Sequence, residues 1–160
     1  MSDALDNSNQ GGCRCGQVRF ELKQPVLLTM ACHCKGCQRM TGSAFSLSAM
    51  YASTNFEIVA GEPVIGGMKA SPPHYVCSQC SSWIFTRVPS PMGDFVNVRA
   101  TLLDDIDHTP PFIETCTDEK LAWVDTSATH SFEKFPPREE FAGLIAKFIV
   151  RQETHAHKTQ

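Results

Sequence analysis

The spacing of the cysteines constrains the fold of this chain more than any other feature of its sequence. Seven of the eight cysteines fall into three clusters. The clusters are Cys13/Cys15, Cys32/Cys34/Cys37 and Cys77/Cys80. Thiols grouped in this way are typical of disulfides or of metal sites, and the redox setting of the chain decides between the two.

The N-terminal residues indicate that setting. Residues 1–10 are polar, carry Asp3 and Asp6, and lack the basic start and apolar core of a secretory signal. No apolar run approaches the roughly 18 residues that span a bilayer. We therefore expect a cytoplasmic protein without membrane contact, in which thiols stay reduced and clustered cysteines bind metal.

Counting the thiols restricts how they can share metal ions. The two pairs together supply the four sulfurs of a closed tetrahedral site, and the triplet then keeps one open coordination position. Alternatively, the triplet takes one sulfur from a pair and leaves a thiol unused. The first division is simpler, and it predicts one closed site at Cys13, Cys15, Cys77 and Cys80 and one open site at Cys32, Cys34 and Cys37.

The charge of the triplet limits its chemistry. Three thiolates on Zn²⁺ leave a net charge near −1, which makes the ion a weak activator of water. Such an ion is better suited to holding an incoming thiolate as a nucleophile, for example for addition to a carbonyl group. Lys35 and Arg39 lie within or beside this segment, so they are candidates for binding an anionic thiol substrate.

The rest of the chain predicts a β-rich fold. Short alternating segments such as 17–22, which places Val18, Phe20 and Leu22 on one face, are separated by frequent Gly and Pro residues. The helical pattern is clear only after Pro137, where apolar residues recur at helical spacing from Phe141 onward. A net charge of −3 argues against nucleic-acid binding.

The motifs in combination resemble one known family. Gly-x-Cys-x-Cys-Gly-x-Val-x-Phe at 11–20, Cys-His-Cys-x-x-Cys at 32–37 and Cys-x-x-Cys at 77–80 look like the glutathione-dependent formaldehyde-activating enzyme (GFA) family, also called the CENP-V family. The resemblance covers roughly residues 11 to 135. Together with the chain length and the polar ends of the sequence, it predicts one domain over 11–150, between a disordered tail at 1–10 and a polar tail at 151–160.

The resemblance also implies a fold and an activity. The fold is Mss4-like and mainly β, with several short coiled antiparallel sheets stapled by zinc and one C-terminal helix. The activity is that of a carbon–sulfur lyase, which joins glutathione to formaldehyde. Carried onto this chain, two zinc ions are expected: a structural one at Cys13, Cys15, Cys77 and Cys80, and a catalytic one at Cys32, Cys34 and Cys37.

Two other functions remain open. The chain is a non-catalytic zinc-stabilised binding module if the triplet is closed by His33, His74, Cys116 or a neighbouring chain. It is a redox protein if the four-cysteine site holds iron instead. His33 is expected beside the metal or exposed rather than as a ligand, His74 as a strand residue, and Cys116 as a free thiol.

Overall fold

The computed structural model describes residues 8–66, 72–91, 93–106 and 110–156. These residues form two compact units. The first unit takes in the described residues of 1–25 and 50–108, and the second takes in those of 26–49 and 109–160. The residues of strand β4, Ser46–Ala52, are divided between the two units. One domain over 11–150 stays a prediction.

The first unit is built from antiparallel strands. They are β1 Ser8–Gly12, β2 Arg19–Lys23, β5 Phe56–Ala60, β6 Pro63–Gly66, β7 His74–Cys77, β8 Trp83–Val88 and β9 Phe95–Arg99. One sheet has the order β1-β2-β5, and the other strands follow the order β9-β8-β7-β6. Phe20 and Leu22 are completely buried on β2, as the alternating pattern predicts.

The second unit is built around a strand that is buried along its whole length. This strand is β3, Leu28–Cys32. Strand β10, Ile113–Thr115, pairs with β3 in parallel and also with β11, His130–Ser131. The register places Thr115 opposite Cys32. A segment more than eighty positions along the chain thus lies beside the start of the cysteine triplet.

Two helices belong to the second unit, α1 Lys35–Thr41 and α2 Phe141–Ala156. Helix α1 ends at Gly42, whose φ of 60° is a left-handed conformation that glycine adopts without strain. Helix α2 buries Leu144 and Phe148, two of the apolar residues that recur at helical spacing in the sequence after Phe141. The Phe148 ring packs edge-on against Phe112 at a centroid distance of 5.4 Å.

The ordered elements extend into both predicted tails. Strand β1 begins at Ser8 because residues 8–12 pair with β2, although their sequence shows no alternation. Helix α2 continues to Ala156. Residues 1–7 and 157–160 of the predicted tails lie outside the described residues.

The prediction of a mainly β fold with a C-terminal helix is confirmed. The pairing is mostly antiparallel, and β10 adds two parallel pairs that the sequence did not indicate. Within the described ranges, no helix is both long and apolar enough to span a bilayer.

Candidate metal centres and the adjoining cleft

The first unit brings the two cysteine pairs together. The sulfur atoms of Cys13, Cys15, Cys77 and Cys80 all lie within 4.8 Å of one another. Cys13 and Cys15 Sγ are 3.5 Å apart, and Cys15 and Cys77 Sγ are 3.8 Å apart. Four sulfurs at this spacing form a donor set that suits a tetrahedral thiophilic ion such as Zn²⁺.

Turns on both sides aim these sulfurs at one point. The Gly16 N–H donates to the Cys13 carbonyl at 3.0 Å, and the φ of 78° at Gly16 is one that glycine tolerates. On the other side, the Ser81 N–H donates to the Cys77 carbonyl at 2.9 Å. Each cysteine pair therefore sits in its own closed turn, and the fold has only to bring the two turns together.

Polar groups near two of these sulfurs favour the thiolate form. The Val18 N–H donates to Cys13 Sγ at 3.3 Å, and the Ser82 hydroxyl lies 3.2 Å from Cys80 Sγ. Hydrogen bonding from Ser82 lowers the pKa of Cys80 to about 5. Thiolates are the form that binds metal, so the surroundings of this cluster fit a metal site.

The second unit brings the cysteine triplet together. Cys32 ends β3, Cys34 caps the start of α1 by accepting the Cys37 N–H at 3.3 Å, and Cys37 lies in the first turn of that helix. The three sulfur atoms lie within 4.8 Å of one another. A strand end followed directly by a helix start thus delivers three thiols to one point.

The three thiols differ in how easily they ionise. The pKa of Cys32 falls to about 5, chiefly because Cys37 donates a hydrogen bond to its sulfur and despite its burial. The pKa of Cys37 rises for the complementary reason, since it donates to the Cys32 thiolate. The triplet therefore carries a negative charge before any cation is bound, as a metal site requires.

Cys116 lies closer to this triplet than its sequence position suggests. It follows Thr115, which pairs with Cys32, and its side chain is buried. Burial, together with the neighbouring Cys32, raises the pKa of Cys116 to about 12. Cys116 forms no disulfide, and its role as a free thiol stays a prediction. It is nevertheless outside the group whose sulfurs are all within 4.8 Å.

A buried histidine and a buried carboxylate adjoin the triplet. His33 is completely buried, and its Nε2 lies 2.9 Å from a carboxylate oxygen of Glu114, which is 6% exposed. Thr126 and Ser131 donate to the same carboxylate at 2.8 and 2.7 Å. Sequence reasoning missed Glu114, although an acidic residue inside the apolar segment 112–116 was a visible signal.

These donors hold the Glu114 side chain in its charged form. Burial by itself raises the pKa of the carboxyl group, but the hydrogen bonds from Ser131, Lys120, Thr126 and His33 together lower the pKa to about 2. Glu114 is therefore ionised throughout the physiological range. An ionised carboxylate only accepts hydrogen bonds, so the ring of His33 donates through Nε2–H.

A cleft of about 780 Å³ opens beside helix α1. Trp123, which is 78% exposed, contributes an aromatic surface. Residues of α1, of the segment after it and of the segment after β10 line the cleft, including Gln38, Arg39, Gly42, Phe45, Trp123 and Asp125. The cleft thus offers a cation, an anion and two aromatic rings on neighbouring walls.

The two basic residues singled out in the sequence occupy different positions. Arg39 lines the cleft, and its side chain makes no hydrogen bond or ion pair within the described ranges. Lys35 begins α1, with its backbone N–H donating to Glu119 at 2.5 Å and its Nζ lying 3.4 Å from the Gln38 side-chain oxygen. Arg39 is therefore the one that faces the cleft.

His74 belongs to the first unit. It lies on β7, where its Nδ1 is 2.8 Å from the Thr86 hydroxyl and its ring packs edge-on against Trp83 at 5.0 Å. Burial lowers the pKa of His74. Its partners are those of a packed strand residue, as the sequence predicts.

All eight cysteines lie in described ranges, and none forms a disulfide. The sulfur donors, their spacing and the hydrogen bonds that favour thiolates all fit zinc. The chain is therefore a mainly β protein with two thiol clusters that could each bind a metal ion. One known protein family has these features.

The model of the glutathione-dependent formaldehyde-activating enzyme family matches residues 8–119. The chain belongs to this family. Among solved structures, a crystal structure of a Rhodobacter sphaeroides protein is similar at a TM-score of 0.50 and 18% identity, covering 62% of this chain and 91% of the other. This likeness concerns the fold alone. No curated protein sequence matches the chain.

Proposed function

We propose that the protein is a zinc-dependent carbon–sulfur lyase that joins a thiol such as glutathione to a small aldehyde such as formaldehyde. Membership of the family supports this activity. The observation that carries the proposal is that helix α1 serves both parts of the site. It presents Cys37 to the triplet and Gln38 and Arg39 to the cleft.

The two thiol clusters take different roles in the proposal. Cys13, Cys15, Cys77 and Cys80 would hold a structural zinc, because four thiolates complete its coordination. Cys32, Cys34 and Cys37 would hold the catalytic one. Zinc held there would lower the pKa of a substrate thiol, so that the substrate is present as a thiolate at neutral pH.

The overall reaction needs no oxidant or reductant. The substrate sulfur attacks the aldehyde carbon, a C–S bond forms, and the C=O double bond becomes a single bond. The proton that leaves the thiol ends on the former carbonyl oxygen, which gives a hydroxymethyl thioether. Every atom of both substrates is retained, so the protein has to supply positioning and a thiolate.

The cleft residues match the charges of glutathione, which carries two carboxylates and one ammonium group. In the proposal, the Arg39 guanidinium binds a carboxylate, for which its planar donors are well suited. Asp125 faces the ammonium group, and the exposed ring of Trp123 packs against the peptide backbone of the substrate. Lys35, at the start of α1, lowers the negative charge around the triplet.

Metal content and thiol titration test the proposal. We expect the wild-type protein to contain two zinc ions and Cys34→Ser to contain one, with its fold retained. Glutathione should perturb the spectrum of a Co²⁺-substituted wild-type protein, and formaldehyde plus glutathione should give the hydroxymethyl adduct, measured by NMR exchange. A protein with one inert zinc, or with no response to any thiol, would contradict the proposal.

A second candidate function rests on Cys116. Its proximity to Cys32 favours a site closed by a fourth thiol, in which case the protein is a non-catalytic zinc-stabilised binding module. The variant Cys116→Ser separates the two proposals. An enzyme with an open site keeps its second zinc and its activity in this variant, whereas a closed structural site loses zinc affinity.

The cellular setting is also part of the proposal. The thiol clusters have to stay reduced to bind metal, and we infer a cytoplasmic location for that reason. With a net charge of −3, we expect no binding to nucleic acid. Filter binding to duplex DNA at low salt would reveal an exception.

A further inference from the structure

His33 is the residue between two of the three clustered thiols, and hydrogen bonds hold it on three sides. Its backbone N–H donates to the Thr115 carbonyl at 3.0 Å. Its carbonyl accepts from the Gln38 side chain at 2.6 Å, and its ring Nε2 bonds to Glu114 at 2.9 Å. Backbone and ring are therefore fixed together.

This arrangement bears directly on the neighbouring thiols. Successive side chains of an extended chain point in opposite directions. Cys32 ends strand β3, and Cys34 keeps an extended backbone with φ −60° and ψ 151°. A ring that is anchored between them therefore constrains the direction of both neighbouring side chains.

The anchor itself is rigid. The Glu114 carboxylate accepts from Lys120 Nζ at 3.0 and 3.2 Å, in addition to the hydroxyl groups of Thr126 and Ser131. A buried carboxylate with this many donors has little freedom to rotate. Strand β10, which carries Glu114, and the residues after it that bind Glu114 thus fix the orientation of the His33 ring.

The same ring also reaches the wall of the cleft. The His33 and Phe45 rings are 5.5 Å apart between centroids, and Phe45 lines the cleft. Displacing the imidazole would affect the direction of two thiols and the support of one cleft wall. His33 thus contacts Glu114, Gln38 and Phe45 and lies between two of the three thiols in the chain, without being among the thiol donors.

We propose that His33, held by Glu114, is a positioning residue that aligns Cys32 and Cys34 for metal binding at the triplet. The inference rests on the proposed function in that it takes the triplet as a metal site. Hydrogen-bonded groups behind metal ligands typically change metal affinity by about 10- to 100-fold when they are removed. The four-cysteine cluster of the first unit, whose sulfurs contact the Val18 N–H and the Ser82 hydroxyl instead, serves as an internal control.

Cobalt substitution in the full chain tests this role. Co²⁺ reports each thiolate site by its charge-transfer and d–d absorption, and competition with a chelator gives the two affinities. The key variants are His33→Leu, which removes the hydrogen bond, and His33→Gln, whose amide N–H can still donate to Glu114. Thr126→Val is the matched control, since it removes one donor from Glu114 but leaves the His33 contact.

We expect His33→Leu to weaken Co²⁺ binding at the triplet by about 10- to 100-fold and to leave the four-cysteine site unchanged. His33→Gln should restore most of the affinity, and Thr126→Val should behave as wild type. If His33→Leu does not fold, His33→Asn replaces it, because its shorter amide cannot reach Glu114.

Each contrary result has its own meaning. Equal weakening of both sites by His33→Leu, or no weakening of either, would overturn the positioning role. So would a His33→Gln variant as weak as His33→Leu, or a Thr126→Val variant that loses triplet affinity to the same degree. A wild-type protein that binds a single Co²⁺ would overturn the proposed function, and the inference with it.

Discussion

The four-cysteine cluster of the first unit and the three-cysteine cluster of the second differ in more than their number of thiols. The first joins pairs that are far apart in the chain, since Cys15 and Cys77 are separated by 62 positions. The second is local, and all its sulfurs come from the end of β3 and the start of α1. The first cluster therefore has much more chain to close than the second.

The surroundings of the two clusters differ as well. Among the described residues, the hydrogen bonds to the four-cysteine sulfurs come from backbone groups, other thiols and the Ser82 hydroxyl. The triplet instead adjoins a buried histidine–carboxylate network and a cleft with charged walls. A site that only stabilises the fold needs neither of these, so the contrast supports the proposal that the first cluster is structural and the second catalytic.

Disrupting the first cluster should have the largest effect. We expect Cys77→Ser to unfold the first unit, because apparent binding free energies of structural zinc reach about 10–16 kcal/mol. Circular dichroism and hydrogen exchange would measure the loss. Cys37→Ser is the matched change at the triplet and should leave the fold intact. Similar unfolding in both variants would remove the distinction between the clusters.

Lowering the pH should reduce the stability that the protein gains from the charge of the Glu114 carboxylate. Glu114 has its pKa lowered from 4.5 to about 2 by folding, so its carboxylate stabilises the protein above pH 4.5 and the contribution fades as the pH falls toward 2. The shift corresponds to a stabilisation on the order of 3 kcal/mol at neutral pH. We expect Glu114→Gln to lose about that amount at pH 6 and much less at pH 3.

The free energy of unfolding of both proteins at the two pH values measures this effect. Because the variant and the wild type carry the same thiols, the difference between them cancels the acid sensitivity of the metal sites. A difference that is equal at pH 6 and pH 3 would show that the Glu114 charge does not contribute to stability.

A substitution in the cleft should change substrate binding rather than the rate of the chemical step. We expect Arg39→Ala to raise the KM for glutathione by about 10-fold and to change kcat little, since it removes one charge-assisted contact of roughly 1.5 kcal/mol. Steady-state kinetics would separate the two constants. Lys35→Ala, at a residue that does not itself line the cleft, should raise KM less. Equal effects of the two substitutions would contradict the assignment of Arg39 to the cleft.

The smallest effect is expected at Ser82. Its hydroxyl contacts Cys80 Sγ at 3.2 Å, and Ser82→Ala should reduce metal affinity at the four-cysteine site by no more than about 10-fold, as expected for one part-buried hydrogen bond of about 1 kcal/mol. Chelator competition would measure it. If Ser82→Ala weakened metal binding at the four-cysteine site more than His33→Leu weakens it at the triplet, the triplet would not be the cluster that depends more on its surroundings.

Short-range patterns in the sequence predicted much of this structure. The mainly β fold, the buried face of β2 and the C-terminal helix followed from alternation and helical spacing over a few residues. The separation of the thiols into a group of four and a group of three followed from counting. The start of β1 at Ser8 did not, because the pairing of that strand depends on backbone hydrogen bonds rather than on side-chain pattern.

What the sequence determined by itself is the grouping of the triplet and of each cysteine pair, since thiols that are close in the chain are close in space whatever the rest of the fold does. What only the tertiary structure decided is that the two pairs meet, across 62 positions, and what surrounds the triplet. Glu114 lies 81 positions from His33, and the parallel register of β10 on β3 brings them together. Cys116 reaches the triplet through the same register. A strand register depends on the packing of the entire sheet, so no short stretch of the chain encodes it.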